Sequence, residues 1–348
     1  MNQALAGVRI LDLTHMLSGP YGSMILADLG AETIKVEPCH GEGTRKLLAT
    51  DPKNSLDGMG AYYITLNRNK KSVAVDLKTE KGLLLFKQLV KNVDIVISNF
   101  GAGVPERLGI DYESLAQVNP RIISCTVSGF GSDGPGSKRP AFDQVAQAMG
   151  GGMSITGPDP ENLVRAGIPI GDLGGGMFGV MGILAALYER ERSGVGQHVD
   201  ISMLDCQISM LNYMATMHFL SGEDPYPIGN SHFVHVPYNT FTCSDGCIVI
   251  AVITDNFWAN LKQVVSCPEF DNAKYDTQPG RWQDKELINN SLNRILSENT
   301  CRYWLTELEA RRIPCAPVNS LSQALADTQV LHREMVVDLK HPNGNMTK

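Results

Sequence analysis

Asp172 is the acidic side chain whose setting most suggests chemistry. It is a lone carboxylate in the apolar segment Gly-Ile-Pro-Ile-Gly-Asp-Leu-Gly-Gly-Gly of residues 167–176. One interpretation is a helix cap, in which the carboxylate accepts backbone N–H bonds, and spacing alone favours this role. The other is a nucleophile: the following glycines would admit a substrate to the backbone, and free amides would hold a developing oxyanion.

The same glycines imitate a dinucleotide-binding motif. Residues 174–179, Gly-Gly-Gly-Met-Phe-Gly, satisfy G-x-G-x-x-G. That fingerprint requires an apolar strand directly before it, whereas Pro169 interrupts the preceding run here. The sequence therefore argues against nicotinamide binding. It also contains no P-loop, no G-x-S-x-G and no H-E-x-x-H motif.

The eight cysteines show no metal-binding pattern. Only Cys243 and Cys247 are close, as C-x3-C, and no second pair stands at ligand spacing. Scattered reduced thiols of a cytosolic protein fit this distribution, so we expect no metal site.

Composition and charge limit what the chain binds. It has 348 residues with 30 basic and 37 acidic side chains, a net charge of −7. This length suggests two domains. The acidic balance argues against nucleic acid as a partner but is compatible with a local basic pocket. The N-terminus lacks the basic and apolar regions of a signal peptide, and the apolar run 173–187 is too short for a membrane span.

Strands and helices alternate along the first half of the chain. A strand at 8–13 is followed by a loop, a helix opening at Pro20, and a strand at 32–37. The alternation continues with strands at 72–77, 94–98 and 122–127, and helices at 79–91 and 112–118. This order predicts an α/β unit with a parallel sheet and helices on both faces.

The second half has a different pattern, which predicts a smaller α+β unit. Helices are predicted at 141–149, 173–191 and 202–220, with a strand at 197–201. Beyond a linker at 221–230, the pattern predicts a hairpin of 238–242 with 247–252, and helices at 256–265, 284–297 and 303–310.

Many ordered stretches resemble the class III coenzyme A transferases, the CaiB/BaiF family of formyl-CoA transferase and carnitine CoA-transferase. The matching stretches run from residue 6 to the last residues of the chain. They include G-V-R-I-L-D-L-T-H-M-L-S-G-P-Y from Gly7, L-A-D-L-G-A-E-T-I-K-V-E-P from Leu26, N-R-N-K-K-S-V-A-V-D-L-K from Asn67, S-N-F from Ser98, E-R-L-G-I from Glu106, S-G-F-G-S-D-G-P-G from Ser128, R-P-A-F-D-Q-V-A-Q-A-M-G-G from Arg139, G-I-P-I-G-D-L-G-G-G from Gly167 and V-P-Y-N-T-F from Val236.

The resemblance implies that Asp172, the aspartate of G-x-P-x-x-D, is a catalytic nucleophile. Coenzyme A would pass from an acyl-CoA donor to a carboxylic acid through an acyl-aspartyl anhydride and an aspartyl-CoA thioester. These intermediates hydrolyse readily, so water must be excluded. Met177, Phe178 and Met181 are expected to form an apolar wall for this purpose. Coenzyme A would be a substrate, with no permanently bound cofactor.

The resemblance also implies the coenzyme A contacts. Their positions are His15, Met16, Val75, Lys78, Asn99, Phe100, Arg107 and Arg139. Asn99 and Phe100 follow a predicted strand, at the edge where parallel sheets bind ligands. Basic side chains suit the phosphates, and Phe100 can stack on adenine. Lys70 and Lys71 fit a solvated face equally well.

Departures from the family pattern bear on the substrates. Leu17 stands where formyl-CoA transferases have glutamine, and 229–235 replaces their mobile glycine-rich loop; both argue against oxalate or formate. The pattern is closer to relatives that use succinyl-CoA and C5 dicarboxylates, whose distal carboxylate His232 and His235 could meet, although loop histidines are more often structural. Phe142 replaces a racemase histidine, which disfavours the alternative of an acyl-CoA racemase or isomerase. A non-catalytic CoA-binding protein is the other alternative.

The family also implies an overall organisation. We expect a large Rossmann-like CoA-binding domain at 1–205, a linker helix at 206–224, a small α+β domain at 225–318 and a segment returning towards the large domain at 319–348. That last segment is shorter than in the family. An interlocked homodimer in the cytoplasm is expected, without nucleic acid or membrane partners.

Overall fold

The computed structural model describes residues 3–341 and 343–348, and the chain divides into two compact units. The first unit comprises the residues up to Gly157 together with Asn162–Tyr226. The second comprises Pro158–Glu161 together with Pro227–Lys348.

A six-stranded parallel sheet forms the centre of the first unit. Its strands are β1 (Arg9–Asp12), β2 (Glu32–Glu37), β3 (Lys70–Ala74), β4 (Ile95–Ser98), β5 (Ile123–Ser128) and β6 (His198–Ser202). Their order across the sheet is β3-β2-β1-β4-β5-β6, and every neighbouring pair is parallel. The predicted α/β class with a parallel sheet is confirmed. A two-residue antiparallel pair, Ser55–Leu56 with Met59–Gly60, lies outside this sheet.

Helices cover both faces of the sheet because its strands are apolar on both sides. They are α1 (Ser18–Asp28), α2 (Ala61–Asn67), α3 (Glu80–Val90), α4 (Val104–Leu108), α5 (Tyr112–Ala116), α6 (Asp143–Met149), α7 (Ile170–Ser193), α8 (Met203–Leu211) and α9 (Tyr213–Ser221), with 3₁₀ turns at Gly43–Lys46 and Gly152–Ile155. Ile10 packs in the cluster that contains α1 and α7 residues. Its neighbour Leu11 packs on the opposite face with Phe86 and Val90 of α3.

Glycines allow α7 to pack very closely on α1 and α8. A Cβ on Gly176 would lie 2.6 Å from the Ser18 carbonyl oxygen, and one on Gly174 would lie 2.8 Å from the Met210 methyl carbon. A Cβ on Gly175 would lie 2.7 Å from the Ser18 hydroxyl oxygen. The expectation that these glycines open the backbone to a substrate is therefore wrong, because helix packing occupies the space beside them.

One helix among the described residues, α7, is long and apolar enough to cross a membrane by length and composition alone. It packs against α1, α8, β5 and β6. The helix extends over 24 residues, so the expectation that the apolar run 173–187 is too short for a span is wrong on length, whereas its contacts are with helices and strands of the first unit.

The prediction of one continuous helix over 202–220 is wrong. Asn212 has a φ of +50° and separates α8 from α9, which a regular helix could not accommodate. Asparagine tolerates positive φ better than most residues, so the break stands at a suitable position.

The second unit contains a small antiparallel sheet and its own core. The predicted hairpin is confirmed as β7 (Tyr238–Cys243) and β8 (Gly246–Ala251), and a third strand, β9 (Cys315–Pro317), pairs with β8. Its helices are α10 (Asp255–Val265), α11 (Gln278–Gln283), α12 (Lys285–Leu296), α13 (Cys301–Ala310), α14 (Leu321–Leu325) and α15 (Thr328–His332), with 3₁₀ turns at Pro268–Asp271 and Ala273–Asp276 and a short pair of Leu339–Lys340 with Met346–Thr347. Trp258 and Phe270 pack together in its core, with ring centroids 5.1 Å apart and the ring planes tilted by 49°.

Candidate active site

Asp172 is the third residue of α7 and does not cap it. The cap position is occupied by Pro169, and the helix begins at Ile170. The interpretation of Asp172 as an N-cap is therefore wrong. Within the described residues, no hydrogen bond or ion pair reaches its carboxylate, which is half-buried. A carboxylate that has lost water without gaining a partner is unusual in a protein interior.

The capping role belongs to Asp143, the first residue of α6. Its Oδ1 accepts hydrogen bonds from the backbone amides of Gly171 at 2.8 Å and Asp172 at 3.2 Å. The Leu173 amide donates to the Pro169 carbonyl oxygen at 2.9 Å. The first-turn amides are thus engaged within the protein, and the expectation that they are free to hold an oxyanion is wrong.

Close approach between α6 and α7 makes this cap possible. A Cβ on Gly171 would lie 3.0 Å from the accepting Asp143 oxygen, so glycine suits the position sterically. Gln147, one turn along α6 and buried, donates to Asp143 Oδ2 at 2.7 Å. Its own Oε1 accepts from the Ala166 amide at 3.0 Å. Asp143 is consequently fixed on both carboxylate oxygens.

Burial and a neighbouring carboxylate change the pKa of Asp172. Burial, followed by the negative charge of Asp143, raises the pKa of Asp172 from 3.8 to about 6. Burial also raises the pKa of Tyr62, on α2, to about 12, and Asp172 and Asp143 both add to this rise. The Tyr62 hydroxyl is therefore protonated at neutral pH, and it lies close enough to both carboxylates for their charges to act on it. Asp172 is basic for an aspartate yet mostly ionised at neutral pH.

Three of the predicted coenzyme A contacts meet at the carboxyl ends of β1 and β4. The His15 amide donates to Asn99 Oδ1 at 2.9 Å, and Asn99 Nδ2 donates to the His15 carbonyl oxygen at 2.7 Å. The His15 ring lies 5.8 Å from the Phe100 ring between centroids. This reciprocal pair joins two loops at the carboxyl ends of the strands, where open parallel sheets generally bind ligands.

Other predicted contacts flank this pair. Met16 follows His15 with a φ of +61°, in the left-handed region. Val75 follows β3 and is buried in the core cluster against which Phe100 packs. Val75 therefore packs beneath Phe100, and too little of its side chain is exposed for a large contact with a ligand.

The three predicted cationic contacts are exposed. In the described part of the chain, Lys78, Arg107 and Arg139 form no ion pair. Arg107 lies on α4 with its guanidinium near Gly103, and the Arg139 guanidinium lies 5.2 Å from the Phe130 ring centroid. Nothing joins these three side chains directly to the His15–Asn99 pair. Exposed, unpaired cations are suited to phosphate.

Lys70 and Lys71 differ sharply. Lys71 is exposed and pairs with Glu32 at 2.7 Å. The Lys70 side chain is only 1% exposed and pairs with buried Asp12 at 2.9 Å. The interpretation of Lys70 as part of a solvated face is therefore wrong.

His232 and His235 lie together in the second unit. Their ring centroids are 4.6 Å apart, and His232 Nδ1 accepts the backbone amides of Val234 and His235 at 3.0 and 3.2 Å. Burial, followed by the neighbouring His235, lowers the pKa of His232. These bonds give His232 a role in shaping its own loop.

The cysteines form no metal site in the described residues. No group of three or more cysteine, histidine or acidic side chains is arranged to hold a metal ion across 3–341 and 343–348. All eight cysteines are free thiols.

Sequence reasoning missed two residues of this site. Asp143 could have been noticed, because it stands near the start of a predicted helix and Gln147 follows one turn later. The amides that it caps, however, lie 28 and 29 residues further along the chain. Tyr62 gave no signal, because the short helix α2 was not predicted.

Comparison with known proteins shows the family of the chain. The model of the family described as CoA-transferase family III matches residues 5–348. A succinyl-CoA:glutarate CoA-transferase of Mus musculus is 36% identical over 340 residues, which cover 97% of this chain and 77% of that protein. An Agrobacterium fabrum succinate–glutarate CoA-transferase is 35% identical, covering 98% of this chain and 86% of that protein.

A solved structure shares the fold. The crystal structure of a CAIB/BAIF family protein from Brucella suis superposes with a TM-score of 0.89 at 33% identity, covering 99% of this chain and 91% of that one. The chain belongs to CoA-transferase family III.

Proposed function

We propose that this protein transfers coenzyme A from succinyl-CoA to a C5 dicarboxylic acid such as glutarate, with Asp172 as the covalent nucleophile. The observation that carries the proposal is the Asp172 carboxylate itself. It is half-buried, is without a hydrogen-bond partner among the described residues, and has a pKa raised to about 6. Such a carboxylate is more basic, and so more nucleophilic, than an ordinary aspartate, yet still ionised at pH 7.

The chemistry requires a carboxylate at this position. Asp172 attacks the donor's thioester carbonyl, the C–S bond breaks, and the thiolate leaves behind a mixed anhydride. The thiolate then attacks the aspartyl carbonyl, which releases succinate and forms the aspartyl-CoA thioester. The acceptor carboxylate repeats the two steps in reverse, so that the new thioester leaves and Asp172 is restored. The overall exchange conserves the free energy of the thioester, and the anhydride stays reactive enough for the thiolate to return, whereas a serine ester would trap the acyl group.

Coenzyme A is proposed to lie along the carboxyl edge of the parallel sheet. The His15–Asn99 pair and Phe100 would receive its nucleotide end, since aromatic rings stack on bases. Met16 and Val75 would contribute from the same edge, and exposed Lys78, Arg107 and Arg139 would neutralise its phosphates. This assignment explains why an acidic protein keeps three unpaired cations on one unit.

The acceptor is proposed from the relatives and from Leu17. Two relatives named above act, by their names, on succinyl and glutarate groups, but an Acetobacter aceti acetyl-CoA:oxalate CoA-transferase is also 36% identical. Identity does not separate the two acids. Leu17, at the cap position of α1, offers no polar group to a small diacid such as oxalate, which favours the longer substrate.

A homodimer in the cytoplasm is the proposed state. Along α7, Met177, Met181, Leu184 and Tyr188 form an exposed apolar stripe at helical spacing. Of the three side chains expected to exclude water, Met177 and Met181 are exposed within one chain and Phe178 is half-buried, and a second chain would cover the exposed stripe. Light scattering should give twice the chain mass; a monomer at micromolar concentration would refute the dimer.

A transfer assay tests the proposed function. Wild-type protein with succinyl-CoA should give new thioesters with glutarate and other C5 diacids, and little with oxalate or formate. Asp172→Asn should abolish transfer, while Asp205→Asn, the matched third residue of α8, should retain it. Deuterium incorporation from solvent at Cα without CoA exchange would instead show a racemase. CoA binding with no turnover on any acid would show a binding protein.

A further inference from the structure

Three charged side chains lie buried beneath the loop that carries His15. Asp12 is 0% exposed, and Lys35 and the Lys70 side chain are each 1% exposed. Asp12 and Lys35 are register partners on β1 and β2, so their side chains share a face of the sheet. Lys70 lies one strand further, on β3.

Asp12 and Lys70 form an ion pair, and both also form hydrogen bonds with groups of α1. Asp12 accepts from Lys70 at 2.9 Å and from the Ser23 hydroxyl at 2.7 Å. Lys70 also donates to the Ser23 hydroxyl oxygen at 2.8 Å and to the Pro20 carbonyl oxygen at 3.0 Å. Burial acts to raise the pKa of Asp12, but the ammonium groups of Lys70 and Lys35 outweigh it and hold this pKa at about 2.

Lys35 has a different target. Its ammonium donates to the Thr14 carbonyl oxygen at 2.8 Å. A buried ammonium is expensive, and a well-packed apolar side chain of similar size would often be at least as stable. Lys70 already supplies the ion pair of Asp12. The hydrogen bond that Lys35 alone supplies is the one to the Thr14 carbonyl oxygen, and this bond orients that carbonyl group.

The consequence is a loop held at consecutive backbone groups. The Thr14 amide donates to Asp12 at 2.9 Å, and the Thr14 carbonyl oxygen accepts from Lys35. The next residue, His15, has both its amide and its carbonyl oxygen bonded to Asn99. Hydrogen bonds at Thr14 and His15 thus connect the buried charges to the His15–Asn99 pair without a gap in the backbone.

Lys35 also acts on the His15 ring through its charge. Burial lowers the pKa of His15, Glu42 from the loop after β2 raises it, and Lys35 lowers it again. The lowered pKa of His15 favours its neutral form. A neutral imidazole presents one donor and one acceptor to a ligand.

We infer that Lys35 is a positioning residue for coenzyme A: its buried ammonium fixes the Thr14 carbonyl and thereby holds His15 in place for the ligand. The inference rests on the proposed function, because it takes His15 and Asn99 as coenzyme A contacts. Lys35 itself touches no reacting atom.

The test compares two neutral replacements with a matched lysine. Lys35→Met removes both charge and donor, Lys35→Gln keeps an N–H donor, and Lys71→Met removes an exposed lysine of the same sheet. Calorimetry with free CoA should show affinity weakened about tenfold or more in Lys35→Met. We expect a smaller loss in Lys35→Gln and none in Lys71→Met. In turnover, KM for succinyl-CoA should rise by a similar factor while kcat changes less than about threefold.

Each failure has its own signature. Wild-type protein that binds no CoA refutes the proposed function, and the inference with it. Wild-type binding with folded Lys35 variants of unchanged affinity overturns the inference alone. Should the variants not fold, the Lys35 ammonium signal in NMR spectra of wild-type protein decides, with a Lys35→Arg variant assigning it. An ammonium group protected from exchange, whose chemical shift changes when CoA is added, supports the inference, whereas a rapidly exchanging group or an unchanged shift overturns it.

Discussion

At the scale of single residues, the proposed reaction and the environment of Asp172 favour opposite protonation states of its carboxyl group. The proposed reaction needs Asp172 ionised, whereas burial and Asp143 favour its neutral form. A pKa of about 6 satisfies both, since about nine-tenths of the groups are ionised at pH 7. The same environment makes this carboxylate a stronger nucleophile than a solvated aspartate.

The pH dependence of transfer follows from this value. Protonation removes the nucleophile, so kcat/KM should fall tenfold per pH unit below about 6 and level off above it. Initial rates between pH 4.5 and 8 measure this profile. A break near pH 4, where a solvated aspartate titrates, would contradict the assigned environment.

Replacing Asp172 should stabilise the protein while removing its activity. Because the folded-state pKa is raised, the neutral form is favoured, and stability is lost as pH rises from 3.8 through about 6. That rise corresponds to about 3 kcal/mol, which partial exposure reduces to about 1–2 kcal/mol.

Urea unfolding at pH 7 should therefore show Asp172→Asn more stable than wild type by about 1–2 kcal/mol. The difference should shrink at pH 4, and Asp205→Asn should show none. A destabilised Asp172→Asn at pH 7 would argue that the carboxylate has a stabilising partner.

At the scale of elements, the start of α7 is built by α6. Asp143 supplies the cap that a residue before the helix usually gives, and it supplies the charge that raises the pKa of Asp172. Asp143 thus fixes the position of the proposed nucleophile and adds to the rise in its pKa, of which burial is the larger cause.

Asp143→Asn separates these two roles. The amide oxygen can still accept the Gly171 amide, but the new NH2 group would face the Nε2 donor of Gln147, so we expect a loss of about 1–3 kcal/mol. With the charge removed, the acid limb of the pH profile should move below 6. An unmoved limb with normal folding would show that Asp143 does not influence the charge of Asp172.

Helix packing gives an independent prediction at this scale. Gly176→Ala places a Cβ 2.6 Å from the Ser18 carbonyl oxygen, so α1 and α7 must separate, and we expect a loss of about 1–3 kcal/mol. Gly167→Ala, where nothing lies within 4 Å, is the matched control and should unfold like wild type. Equal stability of the two variants in urea would contradict the tight packing.

At the scale of the whole molecule, local patterns and long-range contacts were predictable to different degrees. The strand 32–37 and the α/β alternation follow from residue patterns, and Glu32–Glu37 is the observed strand. Residue patterns did not predict that Asp143 caps α7 or that Lys35 is buried, because each depends on contacts between residues far apart in sequence. Lysines 70 and 71 look alike in the sequence, and only the sheet register buries one of them.

Trapping the covalent intermediate on Asp172 tests the central claim most directly. Protein incubated with succinyl-CoA is treated with hydroxylamine or borohydride, digested and examined by mass spectrometry. We expect modification of the peptide that contains Asp172, dependent on succinyl-CoA and missing in Asp172→Asn. An unmodified Asp172 during turnover, together with transfer by Asp172→Ala at the wild-type rate, would contradict it.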